Sequence, residues 1–201
     1  MRLLIARHGQ TKHNLDRRYQ GITDAPLNET GRVEAGQLAD RLLSEKLDAI
    51  YSSDLKRCVQ TAELVAKKYK LNINKDGRLR EISFGDWEGM SYNEIQAQSP
   101  DLLEKWMNDP AHIPPPNGET LIQLATRVKS AVDEIKPQHA EQTVLFITHG
   151  GVIRTLLCLS LGIDLNRHLQ FESATGSLSE LSFYEEGVSL KLFNGISHLG
   201  K

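Results

Sequence analysis

The sequence predicts an α/β protein built in three layers, with a mainly parallel sheet between two sets of helices. Three observations carry this expectation. Short apolar runs bounded by polar residues recur along the chain, as Leu3-Leu4-Ile5-Ala6, Ala49-Ile50-Tyr51-Ser52 and Val144-Leu145-Phe146-Ile147-Thr148. Their length and bounding are those of buried strands. Segments of helical periodicity separate them, and such alternation favours parallel strands covered on both faces. With 201 residues, 39% hydrophobic and 25% charged, the chain can bury a full core without staples and fits one domain.

The elements follow in order. After the first strand, residues 12–28 read as a polar loop rich in charge and turn residues. Asn28-Glu29-Thr30-Gly31 then opens a helix to about Lys46, with Val33, Leu38, Leu42 and Leu43 on its apolar side. A second strand, 49–52, leads to Ser53, which has the chemistry of an N-cap. The helix behind it, through Ala66, carries Leu55, Val59, Ala62 and Val65 at near-helical spacing. Leu71-Asn72-Ile73-Asn74 is a weak edge strand leading to Leu79-Arg80-Glu81-Ile82. Residues from about 86 to 136 break the rhythm with both tryptophans and Pro114-Pro115-Pro116-Asn117-Gly118 between two helical patterns. They are expected to form a lid-like helical insertion within a single domain, 1–201. Val144 to Thr148 returns to the sheet, and Gly151 to Leu161 is an apolar helix. Two strands around the tight turn Glu185-Glu186-Gly187 close the chain.

Composition narrows the function. The formal net charge of −2 gives no basic field for nucleic acid or an anionic membrane. Cys58 and Cys158 lack paired spacing and lie in helical patterns, so they are expected as buried free thiols in a reducing compartment. The first apolar run ends at once in Arg7 and His8, unlike a signal peptide. No stretch approaches membrane-spanning length. A cytoplasmic location is the expectation.

The chemistry concentrates at two strand ends. The first strand runs into Arg7-His8-Gly9-Gln10-Thr11, and the strand at 144–148 runs into His149-Gly150-Gly151. Ligands of open α/β sheets bind beyond the carboxyl ends of the strands. A neutral imidazole can accept a phosphoryl group, and guanidinium forks match phosphate oxygens. No HExxH, paired cysteines or aspartate cluster suggests a metal, and arginines beside the histidines oppose a cation.

Four motifs in order give a resemblance. Arg7-His8-Gly9-Gln10-Thr11 with Asn14 and Gln20-Gly21, Ser52-Ser53-Asp54-Leu55 with Arg57, Arg80-Glu81-Ile82 with Phe84-Gly85-Asp86-Trp87-Glu88-Gly89, and Thr148-His149-Gly150-Gly151 resemble the histidine phosphatase superfamily, in its phosphoglycerate-mutase-like branch. The resemblance runs nearly end to end and implies a phosphoglycerate-mutase-like fold and a phosphohistidine at His8, whose other ring nitrogen is held by a backbone carbonyl. It further implies Arg7, Arg57 and His149 around the phosphate, Glu81 as the proton donor and acceptor, and Asn14, Gln20, Gly21 and Gly150 as binding residues. Glu88 is the fallback acid. Trp87 and Trp106 are expected in packing.

Compactness favours a metal-independent, cofactor-free phosphatase of a small phosphomonoester over a phosphoglycerate mutase, and the full set of reactive residues argues against a docking protein. Pro115-Pro116-Asn117-Gly118-Glu119-Thr120 and the closing Asn194-Gly195-Ile196-Ser197-His198-Leu199 look most like the alpha-ribazole and broad-specificity phosphatases, where Gly-Gly-Glu is commoner than Asn117-Gly118-Glu119. Phosphoserine phosphatase is the other hydrolase considered. A monomer or a homodimer is compatible with the pattern.

Overall fold

Every side chain from Leu3 to Ala6 is buried, so strand β1 (Arg2–Arg7) needs an apolar cover on both of its faces. The computed structural model, which describes residues 1–200, supplies both. Strands β2 (Ala49–Ser52), β3 (Ile73–Lys75), β4 (Thr143–Thr148), β5 (Leu178–Phe183) and β6 (Val188–Gly195) complete a six-stranded sheet. Its order is β3-β2-β4-β1-β5-β6. The first four are mutually parallel, whereas β5 runs antiparallel to β1 and β6 antiparallel to β5.

Seven α-helices accompany the sheet among the described residues: α1 (Lys12–Leu15), α2 (Glu29–Leu42), α3 (Lys56–Tyr69), α4 (Tyr92–Gln98), α5 (Pro100–Asn108), α6 (Leu121–Gln138) and α7 (Gly150–Leu161). Leu4, Ala6, Leu145 and Ile147 face α2 and α3, packing with Leu38, Leu42, Ala62 and Val65. Their neighbours Leu3, Ile5, Val144 and Phe146 face α6 and α7, packing with Leu124, Val128, Ile153 and Leu157. The period-two alternation along each strand divides the core in two, and the expected three-layer α/β/α architecture results. No helix among the described residues is long and apolar enough to cross a membrane.

Four local expectations are corrected. The polar loop holds a short helix, α1, whose N-cap Thr11 exchanges bonds with Asn14 in a capping box. Helix α2 ends at Leu42, and it buries Glu34, Ala35, Leu38, Ala39 and Leu42. Val33 and Leu43 are more than half exposed; the buried stripe is drawn by small Ala35 and Ala39, which let the helix approach the sheet, and not by apolar size alone. The N-cap of α3 is Leu55, without a side-chain cap, and the Ser53 hydroxyl lies 2.9 Å from His149 Nε2. Last, the insertion is shorter than 86–136. Helix α6 belongs to the core layer, and only the segment containing α4 and α5 forms a separate apolar cluster, around Trp87, Ile95, Leu103 and Trp106. The two indoles pack edge to face at 5.5 Å, as packing residues do.

One buried histidine makes stability pH-dependent. His168 follows α7 in a 3-10 segment, with Nδ1 3.1 Å from the Leu165 carbonyl. Burial, assisted by Arg154, lowers its pKa to about 4. The unfolded chain protonates near 6.5, so it binds the proton first and stability is lost as pH falls through that value. From pH 7 to pH 5 the expected loss from this residue is about 2 kcal/mol. Urea unfolding at both pH values should show a loss smaller by about that amount in His168→Gln. An unchanged difference between the two pH values would remove His168 as the source.

Candidate active site

Pairing register assembles the site. Arg7 stands opposite Thr148 in the β1–β4 ladder, and the next residue on each strand is a histidine. The His8 amide donates to the Thr148 carbonyl at 3.0 Å, and the two imidazoles meet edge to face with centroids 5.1 Å apart. The turn after His8 is fixed by a close approach of backbones. A Cβ on Gly9 would lie 2.2 Å from the Gly31 carbonyl oxygen, and one on Gly31 2.0 Å from that of Gln10, so neither position admits a side chain. Buried Glu34 accepts the Gln10 amide at 2.7 Å and clamps the same turn.

The tautomer of His8 follows from its partner. Nδ1 lies 2.7 Å from the Gly9 carbonyl; a carbonyl only accepts, so Nδ1 carries the hydrogen and Nε2 keeps its lone pair. Burial, with Arg57 and Arg7 adjacent, holds this imidazole well below the ordinary histidine value. It is neutral at pH 7. His149 is set by the same logic: Arg57 Nε donates to its Nδ1 at 3.2 Å, and Nε2 faces the Ser53 hydroxyl at 2.9 Å. Burial and then Arg57 depress it likewise. The Cys58 sulfur lies 3.4 Å from His149 Nε2, and burial pushes that thiol up to about 12, so it stays protonated.

A cavity of about 320 Å³ opens beside these groups. Of the sequence-predicted residues, Arg7, His8, Asn14, Gln20, Gly21, Arg57 and Glu81 line it. His149 and Gly150 do not: both are buried, His149 against His8, while a Cβ on Gly150 would sit 3.4 Å from the Arg7 guanidinium. A larger open groove, about 1080 Å³, lies near Met1 and contains none of the predicted residues.

Donors in the cavity are partly committed. Arg7 gives one N–H to the Ser173 carbonyl, while its buried Nε has no partner. Burial lowers its pKa to about 10, against the opposing pull of Glu81, so it remains charged at neutral pH. Arg57 bonds the carbonyls of Gly21 at 2.7 Å and Thr23 at 2.9 Å, which ties the 20–23 turn to the site. The Asn14 side-chain oxygen accepts the Thr11 amide at 3.0 Å, directing its NH2 away. Gln20 accepts from Thr11 Oγ1 at 2.8 Å, and its buried NH2 is without a partner among the described residues.

Glu81 is held from the backbone. Its two oxygens accept the amides of Ile82 at 3.0 Å and Gly151 at 3.1 Å. Behind it Arg127 bonds the carbonyls of Arg78, Arg80 and Glu81 and forks onto Glu119. Glu88 is otherwise occupied: it accepts the amides of Ile22 and Thr23 and the Thr23 hydroxyl. It is a staple for the 20–23 turn and no longer a fallback acid.

A Cβ on Gly151 would come within 2.3 Å of Glu81 Oε1. In the phosphoester hydrolysis that the resemblance implies, Gly151→Ala is therefore expected to push the carboxylate aside and lower kcat on an alkyl monoester by about tenfold to a hundredfold. Turnover and thermal melting together check this, since a collapse of melting temperature would assign the glycine to folding.

The sequence reading missed several residues here. Arg17, Arg18, Tyr19, Phe84, Tyr92 and Arg154 also line the cavity. Arg154 was the findable one, being the only charge in helix α7, at 154, one turn after the glycine pair. Asn117 occupies the place where a glycine is usual. Its φ is +57°, a conformation that asparagine tolerates well, and it is absent from the cavity wall. No group of three or more His, Cys, Asp or Glu side chains suited to a metal ion occurs among the described residues.

Comparison with known proteins identifies the family. A family model described as histidine phosphatase superfamily (branch 1) matches residues 3–195. Phosphoserine phosphatase 1 of Hydrogenobacter thermophilus is 36% identical, over 100% of this chain and 95% of that protein. Adenosylcobalamin/alpha-ribazole phosphatase of Escherichia coli is 28% identical, over 96% of each. Among solved structures, Bacillus stearothermophilus YhfR superposes with a TM-score of 0.92 at 34% identity, over 98% of both chains.

Proposed function

The chain belongs to the histidine phosphatase superfamily, and from that premise we propose that it is a metal-independent hydrolase of small phosphomonoesters, working through a phosphohistidine at His8. The observation that carries this is the bare Nε2 of a neutral His8 beside Arg7, Arg57 and Glu81 in one cavity. Phosphoryl transfer is accelerated mainly by positioning and by stabilising charge on the phosphoryl oxygens.

In the first half-reaction His8 Nε2 attacks phosphorus, the P–O ester bond breaks, and Glu81 gives its proton to the departing alkoxide. Water then attacks the phosphohistidine and loses a proton to Glu81. The P–N bond breaks, returning neutral His8 and free phosphate. Arg7 and Arg57 stabilise the charge and the side-chain amides of Asn14 and Gln20 complete the set in the cavity, while His149, packed on His8, and Gly150, packed on Arg7, hold those two groups from behind. Gly21 contributes through its carbonyl, which orients Arg57.

Alpha-ribazole 5′-phosphate and phosphoserine are the two candidate substrates that the sequence and the relatives' names supply. Asn117 no longer weighs against the first, because its backbone conformation explains it. The reading requires no cofactor, nucleic acid or membrane, suits a cytoplasmic protein, and is served by a monomer or a homodimer.

Phosphate release in EDTA across both candidates, 3-phosphoglycerate, nucleotides and an aryl phosphate tests it. Free phosphate from at least one ester, absent in His8→Ala, is the expected result. Isomerisation of 3-phosphoglycerate with bisphosphoglycerate priming would instead make it a mutase, and binding without turnover a docking protein. Loss of activity in EDTA would overturn the metal-free mechanism.

A further inference from the structure

The cavity holds more positive charge than a phosphoryl group requires. Arg7, Arg57, Asn14 and Gln20 already surround His8. Most other arginines in and behind the cavity wall are paired or tethered: Arg18 with Glu94 at 2.7 Å, Arg57 with two carbonyls and His149, and Arg127 with Glu119 at 2.8 Å. Arg154 differs. It lines the cavity, its Nε is buried without a partner, and the guanidinium has no hydrogen bond or ion pair among the described residues. Unpaired charge in such a place is costly unless a ligand completes it.

Helix geometry explains where Arg154 aims. It lies three and four residues after Gly151 and Gly150, on the face that meets Glu81 and Arg7. Glu81 is the nearby carboxylate, and both of its oxygens are taken by backbone amides. Arg154 feels the Glu81 charge, but no hydrogen bond joins the two among the described residues, so its N–H donors are left for a substrate group. Arg17, at the cavity mouth, is exposed and likewise without a side-chain partner among the described residues.

We propose that Arg154 is a specificity-determining residue that binds a carboxylate on the substrate, next to the phosphorylated carbon chain, with Arg17 adding charge at the entrance. Resting on the phosphatase reading, this narrows the substrate class to small phosphomonoesters that carry a carboxylate. A phosphorylated riboside with a neutral base has no group for this position. Tyr19, Phe84 and Tyr92 also line the cavity, and its volume of about 320 Å³ suits a compact acid.

Matched pairs differing only in the carboxylate provide the test: phosphoserine against phosphoethanolamine, and 3-phosphoglycerate against glycerol 3-phosphate, with p-nitrophenyl phosphate as reference. The carboxylate-bearing member is expected to have a kcat/KM higher by about tenfold to a hundredfold, the range for a charge-assisted bond. Arg154→Gln should bring that ratio near one, and Arg154→Lys should restore part of it. A ratio near one in the wild type overturns the proposal. So does a large ratio that survives Arg154→Gln, or a loss shared equally by the pair and the reference, which would make Arg154 a positioning residue for Glu81. If the wild type turns over none of the five esters, the phosphatase reading is what fails. The same pairs titrated calorimetrically into the wild type would then decide: tighter binding of the acid, lost in Arg154→Gln, upholds the carboxylate site, and equal binding overturns it.

Discussion

His8→Ala is expected to abolish both turnover and phosphoenzyme formation, a fall on the order of 10⁴-fold or more, since the nucleophile itself is removed. The reasoning is local. Nδ1 is held on the Gly9 carbonyl, so Nε2 is the only nitrogen of this ring with a free lone pair. His149 cannot substitute, because its two nitrogens face Arg57 and Ser53 and it does not line the cavity. The check is rapid quench with a labelled monoester: the wild type should trap acid-labile label, and the variant none. His8→Gln keeps most of the ring's volume, and inactivity of that folded variant separates lost chemistry from lost structure. Label retained in His8→Ala would move the nucleophile elsewhere.

Glu81→Gln should separate the two halves of the reaction. An alkyl ester needs a proton on its leaving oxygen, so its turnover should fall by about 10²- to 10⁴-fold. An activated aryl ester needs little protonation, so its first turnover should change far less. Dephosphorylation still lacks its base, however, and a stoichiometric burst of phenolate should precede a slow steady state. Stopped-flow measurement reads both phases. If the first turnovers of alkyl and aryl esters fall equally, Glu81 is not the acid. Glutamine can keep one of the two amide bonds that orient Glu81, and the Gly151→Ala variant gauges how much misplacement alone costs.

Much of this was legible in the sequence because it is written in local signals. Apolar runs gave β1, β2 and β4, and their polar ends delivered His8 and His149 to one edge. Arg57 and Glu81 came from ordered motifs, and Asn14, Gln20 and Gly21 lie on the cavity wall with them. What escaped notice depends on tertiary packing. Ser53 has the residue type of a helix cap, but the adjacency of β2 and β4 gives its hydroxyl to His149. Helix α6 was grouped with the insertion because proline and glycine precede it; its seven buried positions are explained only by the sheet face it covers. Glu34 lies within a helix like any surface carboxylate, and only the fold places it under the Gln10 amide. Tyr19 and Phe84, in contact at 4.9 Å, come from distant segments whose meeting no periodicity encodes.

The pairing of β1 with β4 also ties catalysis to the order of folding. Leu3 and Val144 are partners, a separation of about 140 residues, and contacts so distant in sequence close late because the intervening loop entropy is large. Strand β4 sits between β2 and β1, so the two imidazoles cannot meet until the centre of the sheet is filled. A nascent chain that has not yet released its last third carries His8 without its neighbour, and under the proposed mechanism it is expected to be inactive. In refolding, recovery of activity should lag behind recovery of helical signal, which makes the reaction itself a reporter of long-range sheet closure.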